Sequence, residues 1–509
     1  MLFPGASMMA SGLSRINSRE FDYWAAQHLL QRAGFGGTPA QVLALKNMGV
    51  EDAVDSLIEF EEIDETGVTS NVEGRFDQHI MRPLSQEERR KRTIARRSGN
   101  EEVLEQFRNE RQLRQRSDRR QLAELQAWWM GRMIESNRPF QEKMTLFLHG
   151  HFATGYRPVE DSYHMFKQNE LFRRYATGNF KNDLARNIIR DPAMIKYLNN
   201  NQNSRQAPNE NLARELMELF TLGEGRGYNE TDIKQGARAL TGYTFRDDQF
   251  QFNQGNHDDD MKVIFGKRGR WNGDDFIDLI FTRPSSSQFI SEKIYRYFVN
   301  DTPGVVTGEG RSTVRQMARV LESSDWELKP LLKKLFMSKA FYAEANRSSI
   351  IKSPVQLVVQ AVRSLRTPSR NLTRLVQACS LMGQGLFTPP SVKGWDGGRK
   401  WINTSTLFTR QNTLVFLLTG REPGARPWSA SDSGFDARHL VDHLREVPGR
   451  DRDHDAVTYL SRFTIGTVPD QERIDQWVEY VRDRGGADDN TTIIHLLALM
   501  TAAPEYQLC

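Results

Sequence analysis

The chain has 509 residues, of which 38% are hydrophobic and 26% charged, and its net charge is +4. That length allows one large core or two to three smaller ones, and so small a net charge gives no strong argument for nucleic acid or an acidic membrane as partner. Cys379 and Cys509 are the only cysteines, which excludes a disulfide framework and a thiolate zinc site. No window approaches the roughly eighteen uninterrupted apolar residues of a membrane span.

Four segments follow from texture. Residues 1–84 form an N-terminal helical segment, in which Gly34, Gly36 and Gly37 end one short helix and Thr38-Pro39 starts the next. Residues 85–124 are dense in Arg, Glu and Gln. They read as a long solvated helix laced with i,i+4 pairs or as a mobile insertion, and the interleaved acids disfavour a nucleic-acid arm. Residues 125–420 form a central helical domain. In it Trp128, Trp129 and Met133 take apolar positions, Arg138-Pro139 is a break, and an Asn-rich loop occupies 199–205. Near 243–270 the alternation of Tyr243-Thr244-Phe245 and Phe250-Gln251-Phe252 predicts a small β-ribbon. Residues 421–509 form a C-terminal helical section, with polar connections at 421–436 and 448–455. The predicted fold is mainly α: a large multi-helical domain with a small inserted β-ribbon.

The stretch 208–223 is the most informative. Pro208 suits a helix entry, Asn209 a cap and Gly223 an end. At about 100° per residue Leu212, Leu216, Leu219 and Phe220 share one side, widened by Ala213 and Met217. Glu210, Asn211, Arg214, Glu215 and Glu218 fall on the remaining arc. A surface helix rarely needs so wide an apolar face, so the polar stripe lines either a cleft or an internal hydrogen-bond network.

The run Pro208-Asn209-Glu210-Asn211, Ala213-Arg214-Glu215-Leu216 and Glu218-Leu219-Phe220-Thr221-Leu222-Gly223 is followed by Tyr228, Glu230, Asp232 and Ala237-Arg238-Ala239-Leu240-Thr241-Gly242. Together they resemble the signature of an uncharacterised bacterial family, catalogued as domain of unknown function 1800. His28-Leu29-Leu30-Gln31-Arg32-Ala33-Gly34-Phe35-Gly36, Phe147-Leu148-His149-Gly150-His151-Phe152, Ile351-Lys352-Ser353-Pro354 and Pro389-Pro390-Ser391-Val392-Lys393-Gly394-Trp395 match as well. The resemblance covers most of the chain and implies a fold family, not an activity. The N-terminus lacks a basic region followed by an apolar run, so a cytoplasmic location is expected. The alternative is export, which the resemblance implies for many relatives.

Phosphate-loop, His-Glu-x-x-His, Cys-x-x-Cys and Gly-x-Ser-x-Gly motifs are absent. Gly223, Gly225 and Gly227 follow a helix, so they suit a helix end and a tight turn better than a dinucleotide site. Among positive candidates, His149 and His151 are two apart and would point about 200° from each other on a continuous helix. If Gly150 ends the helix, His151 can turn back. In so apolar a setting they are either hydrogen-bonded core histidines or metal ligands. His257 and Asp258 stand at the ribbon turn, as an exposed acidic turn or as a ligand pair. Glu215 and Glu218, three apart, put two carboxylates on one side, and Glu210 can pair with Arg214; the stripe is either a site or a packing network. Trp395 and Trp401 make either a carbohydrate or protein docking platform or a plug over the core.

Two functions compete. One is a metal-dependent enzyme, hydrolytic or oxidative. Its metal ligands would be His149, His151, Glu215, His257 and Asp258, its catalytic residues Glu210, Arg214 and Glu218, and its ion Zn, Fe or Mn. The other is a non-catalytic scaffold or partner-binding protein with a structural polar network. Convergence of the histidines and the Glu pair in one pocket discriminates them.

Overall fold

The computed structural model describes residues 12–68, 74–302, 308–421, 434–444 and 451–509. Of the two predicted polar connections, residues 422–433 and 448–450 fall outside them, whereas 452–455 open the helix Arg452–Ile465. Among the described residues there are 23 α-helices and two antiparallel two-stranded ribbons, so the chain is mainly α as expected.

The Arg/Glu-rich segment is helical. Ser85 and Glu88 form a capping box on helix Gln86–Ser98, and Gly99, at φ 67°, closes it in the left-handed region. Asn100 then caps helix Glu101–Glu135, which runs through residues 124 and 125 without a break. Its first half is solvated, whereas Leu122, Leu125, Trp128, Trp129 and Met133 in its second half are buried. Arg82 reaches Glu88 at 3.0 Å and Arg114 pairs with Glu110, so i,i+4 pairs do occur on this hairpin. The main core draws on residues from Ile16 to Met500, hence on the N-terminal, central and C-terminal segments alike.

The central helix starts two residues later than its cap. Asn209 Oδ1 accepts from the Asn211 N–H at 3.0 Å, and the α-helix spans Asn211–Glu215. It continues as a wider π-helical turn, Leu216–Thr221, in which the Thr221 hydroxyl donates to the Leu216 carbonyl at 2.6 Å. Gly223 ends it at φ 91°. Leu212, Ala213, Leu216, Met217 and Phe220 are fully buried, as the stripe predicts. The Asn-rich loop works as a hydrogen-bond hub. The Asn203 amide donates to the Ala237 carbonyl at 2.9 Å and its oxygen accepts from Asn209 N–H at 2.9 Å, while Asn200 donates to the Tyr243 carbonyl at 2.9 Å.

The predicted ribbon is two hairpins. Strand β1 (Tyr243–Arg246) pairs with β2 (Gln249–Phe252), and β3 (Lys262–Ile264) pairs with β4 (Lys267–Gly269). The turn at Phe265-Gly266 has positive φ at both residues, as a two-residue hairpin loop requires.

Candidate functional site

Helix Pro139–His151 passes through Gly150 without ending there. The glycine has another cause. The loop carrying Lys393-Gly394-Trp395 lies directly on it: a Cβ at Gly394, which sits at φ 82°, would collide with the Gly150 carbonyl, and the Trp395 ring covers the Gly150 Cα. The two glycines thus let two chain segments approach closely.

Beside this contact a cavity of about 270 Å³ opens. Three of the motif stretches supply its wall: His151, then Glu218, Leu219, Gly223 and Glu224 from the central helix and its end, then Lys393. Helix Pro284–Phe298 adds Phe289 and Lys293, and the glycine-rich turn adds Arg226. Gly223 is required here too, because a side chain would press on Phe289 and Arg226 at 2.9 and 3.0 Å.

The electrostatics of the wall are uneven. Arg226, itself half-exposed, is paired with the mostly buried Glu292 at 3.2 Å, and Lys393 stands 3.6 Å from Glu224, both of the latter largely in solvent. Lys293 has no carboxylate within ion-pair distance among the described residues; its Nζ lies 5.3 Å from the centre of the Phe289 ring. Burial, then the nearby charge of Arg296, lower the pKa of its ammonium. His151 is only 6% exposed. Its Nε2–H donates to the Phe220 carbonyl at 2.8 Å, which leaves Nδ1 as a lone pair with no partner. Burial, and next the charge of Lys293, hold this imidazole down at about 3, against the carbonyl bond, so it is neutral. Glu218 accepts from Arg214 at 3.4 Å. Burial and then the Glu218 charge push the Glu215 carboxyl up, and burial with a contribution from Glu218 also raises the Tyr228 phenol.

The other predicted residues lie elsewhere. His149 is 2% exposed, packed on Trp129, Phe172 and Phe387, and its Nε2 accepts from the Asn169 amide at 2.9 Å. His257, at 4% exposure, is buried rather than exposed at its turn, with Nδ1–H donating to the Thr241 carbonyl at 2.8 Å. Asp258 grips Arg238 through both oxygens at 2.7 and 3.1 Å. Burial works to raise its carboxyl, but the Arg238 bonds prevail and hold it low. Glu210 pairs with Arg214 at 3.0 Å. Arg214 also grips Glu230 with two bonds of 2.9 Å.

The expected ligand set His149, His151, Glu215, His257 and Asp258 therefore does not assemble. The two histidines of the helix point apart because Gly150 does not break it, and each ring is already fixed by a protein hydrogen bond. Among the described residues no three His, Cys, Asp or Glu side chains stand together in a metal-binding group. Of the two tryptophans, Trp401 is 6% exposed, and Trp395 is half-buried against the second core cluster.

Sequence reasoning missed Lys293, Arg226 and Phe289, which carry no local signal beyond an amphipathic helix and a turn. It also missed the cluster at Glu142. This fully buried carboxylate accepts from Arg132 Nε at 2.9 Å, from Arg173 Nε at 2.7 Å and from Trp129 Nε1 at 3.1 Å. Arg132 continues to Glu65 at 3.0 Å.

Residues 28–508 match the family described as protein of unknown function (DUF1800), and the chain belongs to that family. No curated protein and no solved structure matches it. No helix among the described residues is long and apolar enough to cross a membrane.

Proposed function

We propose that this member of the family binds a small anionic molecule in the His151–Glu218–Lys293 cavity and acts on it by acid–base chemistry. The observation that carries the proposal is convergence. Three motif stretches far apart in sequence supply one wall, and that wall holds an ammonium without a carboxylate partner, a neutral imidazole and a carboxylate. An anionic group on the ligand would complete the ion pair that Lys293 lacks. Glu218, 3.4 Å from Arg214, is placed as a base, and the Lys293 ammonium as an acid.

The test is calorimetric titration with acetate, succinate and inorganic phosphate on wild type, K293M and a surface control, K333M. Binding lost in K293M and kept in K333M is the expected result. Equal binding in all three, or none in any, overturns the proposal.

A second reading, a non-catalytic scaffold, is favoured by Arg214, whose three carboxylate partners already satisfy it. It predicts no ligand for the cavity and no loss of function in K293M. The metal-dependent version of the enzyme needs a ligand set that the fold keeps apart. Elemental analysis of protein purified without a tag checks it, with a full equivalent of Zn, Fe or Mn lost in H151A and E215A as the result that would restore it.

A further inference from the structure

We infer that Lys293 is a nucleophile that condenses with the carbonyl group of an aldehyde or 2-oxo acid to form an imine; this rests on the cavity being a ligand site. Three observations carry it. Lys293 stands in the cavity wall against the Phe289 ring, and among the described residues no carboxylate lies within ion-pair distance of it. Its neighbours in the wall include two further cations, Arg226 and Lys393. An apolar contact and nearby positive charge are the two conditions that make a lysine amine available near neutral pH. Finally, Glu218 stands in the same wall, so the proton Lys293 must lose has a carboxylate acceptor within the cavity.

The steps balance without any oxidant or second substrate. Lys293 gives up one proton to reach the free amine. The Nζ lone pair attacks the carbonyl carbon, a C–N bond forms, and the carbonyl π electrons go to oxygen, which takes up a proton as the attacking nitrogen releases one. The carbinolamine then loses its hydroxyl as water as the C=N bond forms, with the departing oxygen protonated by the conjugate acid of Glu218. Arg226 and Lys393, whose side chains are 48% and 68% exposed, hold the carboxylate of the 2-oxo acid. The substrate class is therefore a small carbonyl compound with an adjacent anionic group.

The experiment is reductive trapping of the full chain with pyruvate or glyoxylate and cyanoborohydride at neutral pH, read by peptide mass spectrometry beside calorimetry of the same ligands. The expected result is an adduct concentrated on Lys293 and lost in K293R. Near-ultraviolet circular dichroism of K293R establishes that the variant is folded. Calorimetric binding without an adduct on Lys293 overturns the imine and leaves the binding proposal standing. A folded wild type that neither binds nor is labelled overturns both. Labelling spread evenly over surface lysines, with no excess at Lys293, also overturns the imine.

Discussion

Glu142 and Arg214 are each the centre of a carboxylate–guanidinium cluster, built with opposite stoichiometry in opposite surroundings. Glu142 is one anion held by two arginines, with no solvent reaching it. Arg214 is one cation held by three glutamates, with its own side chain 31% exposed. In the first, every charge is desolvated and each partner is compulsory, since a lost one leaves a buried charge bare. In the second, water stands in for any missing partner, so the bonds are individually weak. The difference teaches where function can sit. The buried cluster welds three helices together, whereas the half-exposed one borders a cavity and can exchange partners with a ligand.

The largest expected effect is on the buried side. E142Q should cost roughly 3–5 kcal/mol in chemical denaturation, because Arg132 and Arg173 would remain buried with half their compensation. A loss below about 1 kcal/mol would erase the contrast between the two clusters. Acid should reach the same group. Burial works to raise the Glu142 carboxyl, but the two arginines outweigh it and place it at about 2, against 4.5 for an ordinary glutamate. A depressed value in the fold means that the unfolded chain binds the extra proton first. The stabilisation from Glu142 is then complete above pH 4.5 and is lost as the pH falls toward 2. Denaturation midpoints of wild type should drop through that window more steeply than those of E142Q, and parallel curves would contradict it.

Intermediate effects belong to the contact that shapes the cavity. G394A should cost about 2 kcal/mol, since the new Cβ meets the Gly150 carbonyl at a left-handed backbone position. It should also weaken anion binding by displacing Lys393, whereas G397A, with open space around it, should leave binding unchanged. The smallest effect on stability is expected at the exposed cluster. R214M should cost less than about 1 kcal/mol in denaturant yet change ligand affinity measurably, because Glu218 loses its ion-pair partner. A stability loss as large as that of E142Q would mean that the two clusters are one kind of device.

Much of the fold was legible. The width of the apolar stripe on 208–223 correctly announced a buried central helix, because burial is set by side-chain periodicity, and the alternation at 243–252 announced a ribbon for the same reason. The π turn at Leu216–Thr221 was not legible, since a period of 100° per residue cannot reveal where packing adds a residue to a turn. Gly150 misled in a specific way. A glycine near a helix end reads as a stop, but here it makes room for a tryptophan that lies 245 positions away in sequence.

What the sequence by itself determined is therefore local: helix stripes, caps, the hairpin alternation, and the residue signature that ties the chain to its family. Only the tertiary structure decided which polar residues meet. It parted His149 from His151, sealed Glu142 between Arg132 and Arg173, and set the unremarkable Lys293 beside His151 and Glu218. The physical reason is that propensity and periodicity act over a few residues. Desolvation and charge pairing, which settle whether a group is structural or reactive, depend on neighbours brought from anywhere along the chain.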